Sequence, residues 1–296
     1  MSFLNFYIYS EFVGIFILLV WAIYLPFRGG QLYNGPIYCM LIGGFISAYA
    51  SKNLNWPFGL ALLLGVVIGT IIGFLTSFAF SRTTGIVSAT ASLCIIFILI
   101  SVLNSTNIFG GPMGIMGLPR IGYLPIVIWI FVLLIGVFVY RIDYSRTGRA
   151  LEATRTDPDL AKSLGVNLQQ LSVYMMSIAS MIGALAGGLF AFTIGDINPS
   201  MFGFTVLLNT MAMLFIGGRY TMWGILISAP ILYGLPQWVP SSIATYMNLI
   251  MGMLLIITLM ARPEGIVSRE LIQHLEVWGK SLFRQNKESS PTNLEK

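Results

Sequence analysis

The segment Arg141–Leu171, RIDYSRTGRALEATRTDPDLAKSLGVNLQQL, is the longest stretch in the first 260 residues that a lipid bilayer would reject. Long apolar runs lie on both sides of it. Its charged residues are Arg141, Asp143, Arg146, Arg149, Glu152, Arg155, Asp157, Asp159 and Lys162. A polar insert between apolar runs predicts a water-exposed connection between two membrane-spanning helices.

The insert also contains the residues that begin and end a short helix. Asp157 suits the N-cap, Pro158 suits the first helical position, and Gly165 suits a left-handed residue after the helix. The apolar residues between these signals form one narrow face: Leu160, Ala161 and Leu164. A helix of about two turns is not stable alone in water, so the sequence predicts that it docks on another surface.

The composition is that of a polytopic membrane protein. Of the 296 residues, 56% are hydrophobic and 9% are charged, and the mean hydropathy is +0.84. Soluble domains contain about 25% charged residues. The net charge of +5 is not interpreted as affinity for nucleic acid, because Lys and Arg of membrane proteins mark the cytoplasmic side.

The apolar runs predict an all-α helical bundle with about nine spans, within a range of eight to ten. The second and seventh runs are short enough to be re-entrant, and the eighth contains Pro230 and Pro236, which predict a kink or a break. The predicted spans are 9–27, 34–51, 57–80, 86–104, 121–140, 172–193, 201–217, 222–239 and 243–261.

Basic residues divide unequally between the two sides of such a bundle. If the insert is cytoplasmic, 14 of the 16 Lys and Arg residues lie on that side, and only Lys52 and Arg120 lie outside. The asymmetry predicts an external N-terminus and a cytoplasmic C-terminus. Residues 1–265 would form the membrane domain with segment 141–171 cytoplasmic. Residues 266–296 would form an interfacial amphipathic helix and a disordered cytoplasmic tail.

The predicted spans contain almost no ionisable residue, and the chain shows no catalytic set, metal-ligand cluster or nucleotide-binding loop. A proton- or ion-coupled transporter normally needs buried ionisable groups. Two classes remain, a passive channel and a membrane subunit driven by a separate ATPase. The docking helix on the cytoplasmic side favours the second.

The insert and the spans after it resemble the permeases of branched-chain amino-acid ABC importers, in particular the M-type member of the permease pair. The resemblance is most specific in GRALEATRTDPDLAKSLGVNLQQLSVYMMSIASMIGALAGGLFAF (148–192) and INPSMFGFTVLLNTMAMLFIGGRYTMWGILISAPIL (197–232). The earlier segments RGGQLYNGPIYCMLIGGFISAY (28–49) and STNIFGGPMGIMGLPRI (105–121) are also similar to the family.

The resemblance implies a subunit of the plasma (inner) membrane that pairs with a second, homologous permease, as a homodimer or heterodimer. It also implies two cytoplasmic ATPase subunits, which use the ATP, and an external substrate-binding protein; the chain itself would bind no cofactor. Residues 152–167 match the segment by which these permeases contact the ATPase. The residues predicted for that contact are Glu152, Asp157, Leu160, Ala161, Leu164 and Gly165.

The substrate is less well defined than the class. The family carries branched-chain and other small amino acids, and related permeases carry urea, short amides and simple sugars. Pro36 stands where the family commonly has His, beside the Gly-Gln-Leu segment, so a urea or short-amide importer is the alternative within the class. A self-sufficient channel or secondary transporter is the alternative from another class. Residues expected near the solute path are Gln31, Leu32, Tyr33, Asn34, Asn209 and Thr210.

The charge asymmetry leads to a test of topology. A cysteine placed at Ser145 or Ser268 should not react with a membrane-impermeant reagent added to intact cells, because both positions are predicted to be cytoplasmic. Efficient labelling from outside at either position would reverse the orientation.

Overall fold

The computed structural model describes residues 3–218, 221–238 and 247–261. The predicted interfacial helix and tail, together with Arg219 and Tyr220, lie outside these residues. The described residues form eleven α-helices: α1 Phe3–Arg28, α2 Gly35–Asn53, α3 Phe58–Phe80, α4 Gly85–Ser105, α5 Leu124–Asp143, α6 Arg146–Thr156, α7 Pro158–Ser163, α8 Leu168–Ile194, α9 Phe204–Gly217, α10 Met222–Trp238 and α11 Met247–Ala261.

The prediction of an all-α polytopic bundle is confirmed. Each of the nine predicted spans coincides with a helix, and six described segments are both long and apolar enough to cross a membrane. They are Tyr7–Arg28, Phe58–Phe80, Gly85–Ser105, Leu124–Asp143, Leu168–Ile194 and Pro199–Gly217. The total of nine spans stays a prediction.

The helices divide into an interior group and an outer group. In the most apolar windows of α1 and α8, 78% and 83% of residues are buried within the chain. The corresponding share is 28%, 22% and 28% in α3, α4 and α5, whose exposed residues are nonetheless apolar. A surface that is apolar and unburied belongs against lipid.

Helix α2, the second predicted span, lies at the centre of the bundle; it is not among the six segments named above, so whether it crosses the membrane or is re-entrant stays open. It is a regular helix of 19 residues, of which 15 are buried. Its largest interface is with α8, and α3 packs against both helices. The helix is less apolar than its neighbours because protein, not lipid, surrounds it.

Glycines allow α2, α3 and α8 to approach at backbone distance. A Cβ added to Gly187 of α8 would overlap the Met40 carbonyl of α2, and one added to Gly183 would overlap the Pro36 carbonyl. Gly69 of α3 faces Ala184 in the same way. Small residues at such contacts bring helices together in lipid, where burial of apolar surface gives no driving force.

The later spans are partly as predicted. The seventh begins with a short 3-10 turn, Pro199–Phe202, and continues as the 14-residue α9. The eighth does not break at Pro230, because α10 remains helical through that residue. Tyr9 Oη of α1 donates to the Pro230 carbonyl at 2.5 Å, which ties α10 to α1.

A substitution can test the central contact. Gly187→Val should lower the melting temperature of the purified protein, because its side chain would meet the Met40 carbonyl and overpacking costs about 1–3 kcal/mol. Gly252→Val in α11 is the matched control, since no atom lies within 4 Å of an added Cβ there. Equal melting temperatures for the two variants would contradict the assignment of α2 and α8 as the packed centre.

Candidate functional site

The polar insert folds into two helices, where the sequence predicted one. Helix α5 extends to Asp143 and α8 starts at Leu168, so the connection is shorter than the predicted 141–171. The additional helix is α6, which begins after Ser145; that side chain accepts from the amides of Thr147 at 3.1 Å and Gly148 at 3.3 Å. Its N-cap signal was present in the sequence.

The predicted short helix is confirmed as α7. Asp157 is its N-cap and accepts from the amides of Asp159 and Leu160, each at 3.0 Å. Pro158 is the first helical residue, and Gly165 follows the helix with φ +82°. The Asp157 carboxylate therefore has a structural task within this chain.

The apolar face of α7 is divided between the bundle and solvent. Leu160 is 56% exposed and Leu164 is 72% exposed, as predicted for an isolated subunit. Ala161 is completely buried within this chain, and its predicted part in the ATPase contact stays a prediction. Residues adjacent in sequence point about 100° apart on a helix, which places Ala161 underneath and the two leucines outside.

Helix α6 connects this exposed face to the bundle. Leu151 is 3% exposed and packs against Gly29. A Cβ added to that glycine would lie only 2.9 Å from Cδ2 of Leu151. The backbone of Arg155 lies against Gly30, which has φ +78°. Glu152, on the same helix, is half-buried and engaged in contacts. The α6–α7 unit thus rests on the turn that follows α1.

A buried ion pair holds the helix ends beside this unit. Arg28 Nε lies 3.5 Å from Asp143 Oδ1, with side chains 7% and 13% exposed, and Tyr24 Oη donates to Asp143 Oδ2 at 2.8 Å. The sequence interpretation placed both charges in solvated loops and missed the pair. The available signal was opposite charge at the same end of two spans. Removal of one partner would leave a buried charge uncompensated.

The turn between α1 and α2 contains four residues predicted near the solute path: Gln31, Leu32, Tyr33 and Asn34. Tyr33 and Asn34 are buried by protein, so they do not face lipid. The Asn34 amide donates to Ser92 Oγ at 3.2 Å, and its Nδ2 donates to the Ala89 carbonyl at 3.3 Å. These bonds fix the turn to α4. The position of these four residues beside a solute path stays a prediction.

Tyr33 joins the turn to a cluster of hydroxyls inside the bundle. Its Oη lies 2.6 Å from Tyr38 Oη in α2 and 3.1 Å from Ser180 Oγ in α8, and Tyr38 Oη lies 2.5 Å from Thr76 Oγ1 in α3. These hydroxyls can form one chain of hydrogen bonds in which each donates once. Thr76 donates to Tyr38, Tyr38 to Tyr33, Tyr33 to Ser180, and Ser180 to the Met176 carbonyl at 2.9 Å. Burial raises the pKa of Tyr33 above its ordinary value, which keeps the donor protonated. The sequence interpretation missed Tyr38, Thr76 and Ser180, whose signal was a hydroxyl on each of three apolar spans.

Asn209 and Thr210 lie in a different part of the bundle from this cluster. Helix α9 packs mainly on α10, α11 and α1, whereas the hydroxyl cluster belongs to α2, α3 and α8. Thr210 is buried and donates to the Val206 carbonyl of its own helix at 2.6 Å. The structure therefore does not bring the two predicted groups of path residues together.

A polar cleft of about 780 Å³ lies where the turn, the α6–α7 unit and the α3–α4 connection meet. It is open to solvent and brings Gln31 of the predicted path close to Pro158 and Lys162 of α7. Arg82 and Arg155 also line it. Lys162 is paired with Asp159 at 3.0 Å. Within the described residues, no group of three His, Cys, Asp or Glu could hold a metal ion.

Comparison with known proteins places this arrangement in a family. The family described as "branched-chain amino acid transport system / permease component" matches residues 9–259, which include every helix of the bundle's interior and the α6–α7 unit. The chain belongs to this permease family. Since the described helices are long and apolar, it is a multi-pass membrane protein.

Curated relatives of the chain are permease subunits of two kinds. It is 26% identical to the high-affinity branched-chain amino acid transport system permease protein LivM of Salmonella typhimurium, over 76% of this chain and 62% of LivM. It is 27% identical to BraD, a permease protein of the same description from Pseudomonas aeruginosa, over 52% and 50%.

The second kind is the autoinducer 2 import system permease protein LsrC of Yersinia pestis, which is 29% identical over 62% of this chain and 54% of LsrC. The chain thus spans about 60% of the length of the LivM relative and about half of the others. No solved structure matches the chain.

The hydroxyl cluster allows a prediction. Tyr33→Phe removes the hydroxyl that joins the turn to α2 and α8, so it should lower the melting temperature by the equivalent of about 1–3 kcal/mol, the usual effect of leaving buried partners unsatisfied. Tyr9→Phe, which loses one partly buried bond to Pro230, is the control and should have a smaller effect. A Tyr33→Phe protein as stable as the wild type would show that the cluster does not hold the turn.

Proposed function

We propose that this chain is the membrane translocation subunit of an ABC-type importer for branched-chain or other small amino acids. It would work with a second, homologous permease, two cytoplasmic ATPase subunits and an external substrate-binding protein. The chain would have no catalytic activity of its own, and the ATPases would bind and hydrolyse the ATP. Its N-terminus would lie outside the plasma (inner) membrane and its C-terminus in the cytoplasm.

The observation that carries this proposal is the pair of exposed leucines on α7. Leu160 and Leu164 project from a six-residue helix that is capped at both ends and rests on its own bundle through Ala161. Such a helix gains nothing from exposing two leucines to water, and their burial by a partner would contribute about 1.5–3 kcal/mol each. A rigid helix with an apolar outer face suits a groove on an ATPase.

The contacts of α6 supply a route from that surface to the bundle. Movement of α7 acts on α6, since the two helices pack together. Leu151 and Arg155 of α6 lie against Gly29 and Gly30, and the same turn contains Tyr33, whose hydroxyl contacts α2 and α8. ATP-driven movement would therefore reach the central helices through the turn between Gly29 and Tyr33. A continuous chain of packed elements can carry coupling between two sites when those elements have two arrangements.

The relatives support the amino-acid substrate more than its alternatives. LivM and BraD are described as branched-chain amino acid permeases, and LsrC as an autoinducer 2 permease. A urea or short-amide importer would share the same coupling surface. A self-sufficient channel or secondary transporter would not need it.

Substitution of the two leucines tests the coupling surface. Leu160→Asp or Leu164→Asp should leave the subunit inserted, because both side chains already face water. Each should reduce copurification of the ATPase and ATP-driven uptake of leucine by roughly tenfold or more, from a loss of about 1.5–3 kcal/mol of apolar burial plus the added charge.

The matched controls are Leu160→Met and Leu164→Met, which keep apolar volume and should retain both ATPase binding and uptake. Normal association and uptake in both aspartate variants would contradict the docking role and favour the channel alternative.

A further inference from the structure

A second cavity lies at the end of the bundle opposite the α6–α7 unit. Helices α1 and α5 end beside that unit and α8 begins there, so their other ends meet on the far side. A pocket of about 370 Å³ lies between the start of α1, the segment before α5 and the end of α8. This volume is within the range of small-molecule sites, about 300–1,000 Å³. The charge distribution predicts that this end is external.

Two opposite charges line the pocket. Glu11 comes from α1 and Arg120 from the segment that precedes α5. Both residues line the same pocket, and among the described residues neither group takes part in a salt bridge. The fold therefore places an acid and a base on the wall of one pocket without a direct ion pair between them. A ligand that carries both charges would fit between them.

The remaining walls are chiefly apolar. Thr193 of α8 adds a hydroxyl beside these walls, although its own proton is donated to the Leu189 carbonyl at 3.0 Å, so that its oxygen can accept. The apolar residues are Ile8, Ile121, Leu124, Pro125 and Phe192. A small apolar pocket with few polar groups placed at its edge is typical of sites that fix the orientation of one small molecule.

We propose that this pocket is a binding site for a zwitterionic α-amino acid with an apolar side chain. The Glu11 carboxylate receives the α-ammonium group, the Arg120 guanidinium receives the α-carboxylate, and the apolar wall receives the side chain. Paired charges of this kind form the strongest hydrogen bonds available in proteins. The proposal rests on the proposed function and narrows its substrates to amino acids. Urea, short amides and sugars carry no charge and would leave both groups unpaired.

The site is tested by equilibrium binding of tritiated L-leucine to the purified complex of this chain with its permease partner and ATPases, without nucleotide or binding protein. Excess L-leucine and L-valine should displace the label. Isopentylamine, which has only the amine, 4-methylpentanoate, which has only the acid, and urea should not displace it at the same concentrations. Glu11→Gln and Arg120→Gln should each weaken leucine binding by about tenfold or more, the effect of losing a hydrogen bond to a charged group.

Two further variants separate loss of a specific charge from disturbance of the loops. Arg120→Lys keeps the charge and should bind leucine more tightly than Arg120→Gln. Asp196→Asn removes an acid at the same end of the bundle while keeping an oxygen that can accept from the Gly117 amide, a bond of 2.7 Å in the structure. It should bind leucine as the wild type does.

The proposal would be overturned if isopentylamine or 4-methylpentanoate displaced labelled leucine from the wild-type complex. It would also be overturned if the wild-type complex bound no leucine. Unchanged binding in both glutamine variants would overturn it as well. The proposed function is judged separately, by copurification of the ATPases and ATP-driven leucine uptake by the wild type. A complex that takes up leucine but fails these binding tests would retain its function and lose only this site.

Discussion

The backbone contact between α2 and α8 is the constraint on which the rest of the structure depends. Both helices are surrounded by protein, and glycine at positions such as Gly183 and Gly187 lets one backbone lie directly on the other. Lipid supplies no hydrophobic force between helices, so shape and hydrogen bonds must hold them. Helix α3 then packs into the groove through its own glycines, and the remaining spans form an apolar outer layer toward lipid.

This packed centre gives the polar turn after α1 an unusual position. Its first residues support α6, Tyr33 enters the hydroxyl cluster of the central helices, and Asn34, its last residue, bonds to α4. A turn with three fixed contacts cannot move independently of them, because close-packed interiors transmit displacement. The α6–α7 surface and the centre of the bundle are thus joined by a short, specific path, with the Arg28–Asp143 pair holding the helix ends beside it.

The two ends of the bundle carry different chemistry, in keeping with different partners. The α7 end presents two leucines on a capped helix above a cleft lined by basic and hydroxyl side chains. The opposite end contains a smaller, mostly apolar pocket that holds one acid and one base. A macromolecular partner needs an exposed rigid face, whereas a small solute needs an enclosed site. Between these ends the ionisable groups are few, which suits a solute whose own charges cancel.

The sequence by itself determined the class of the protein, its helical architecture and the boundaries of α7. These features follow from local signals, namely apolar length, Asp157 before Pro158, and Gly165, whose effects act within a few residues. Only the tertiary structure decided that Ala161 is buried while its neighbours are exposed, that α2 is central, and that Arg28 meets Asp143. It also separated Asn209 from Tyr33 and brought Glu11 to the pocket of Arg120. These contacts join residues far apart in the chain, and which helix faces meet depends on how all the helices pack together.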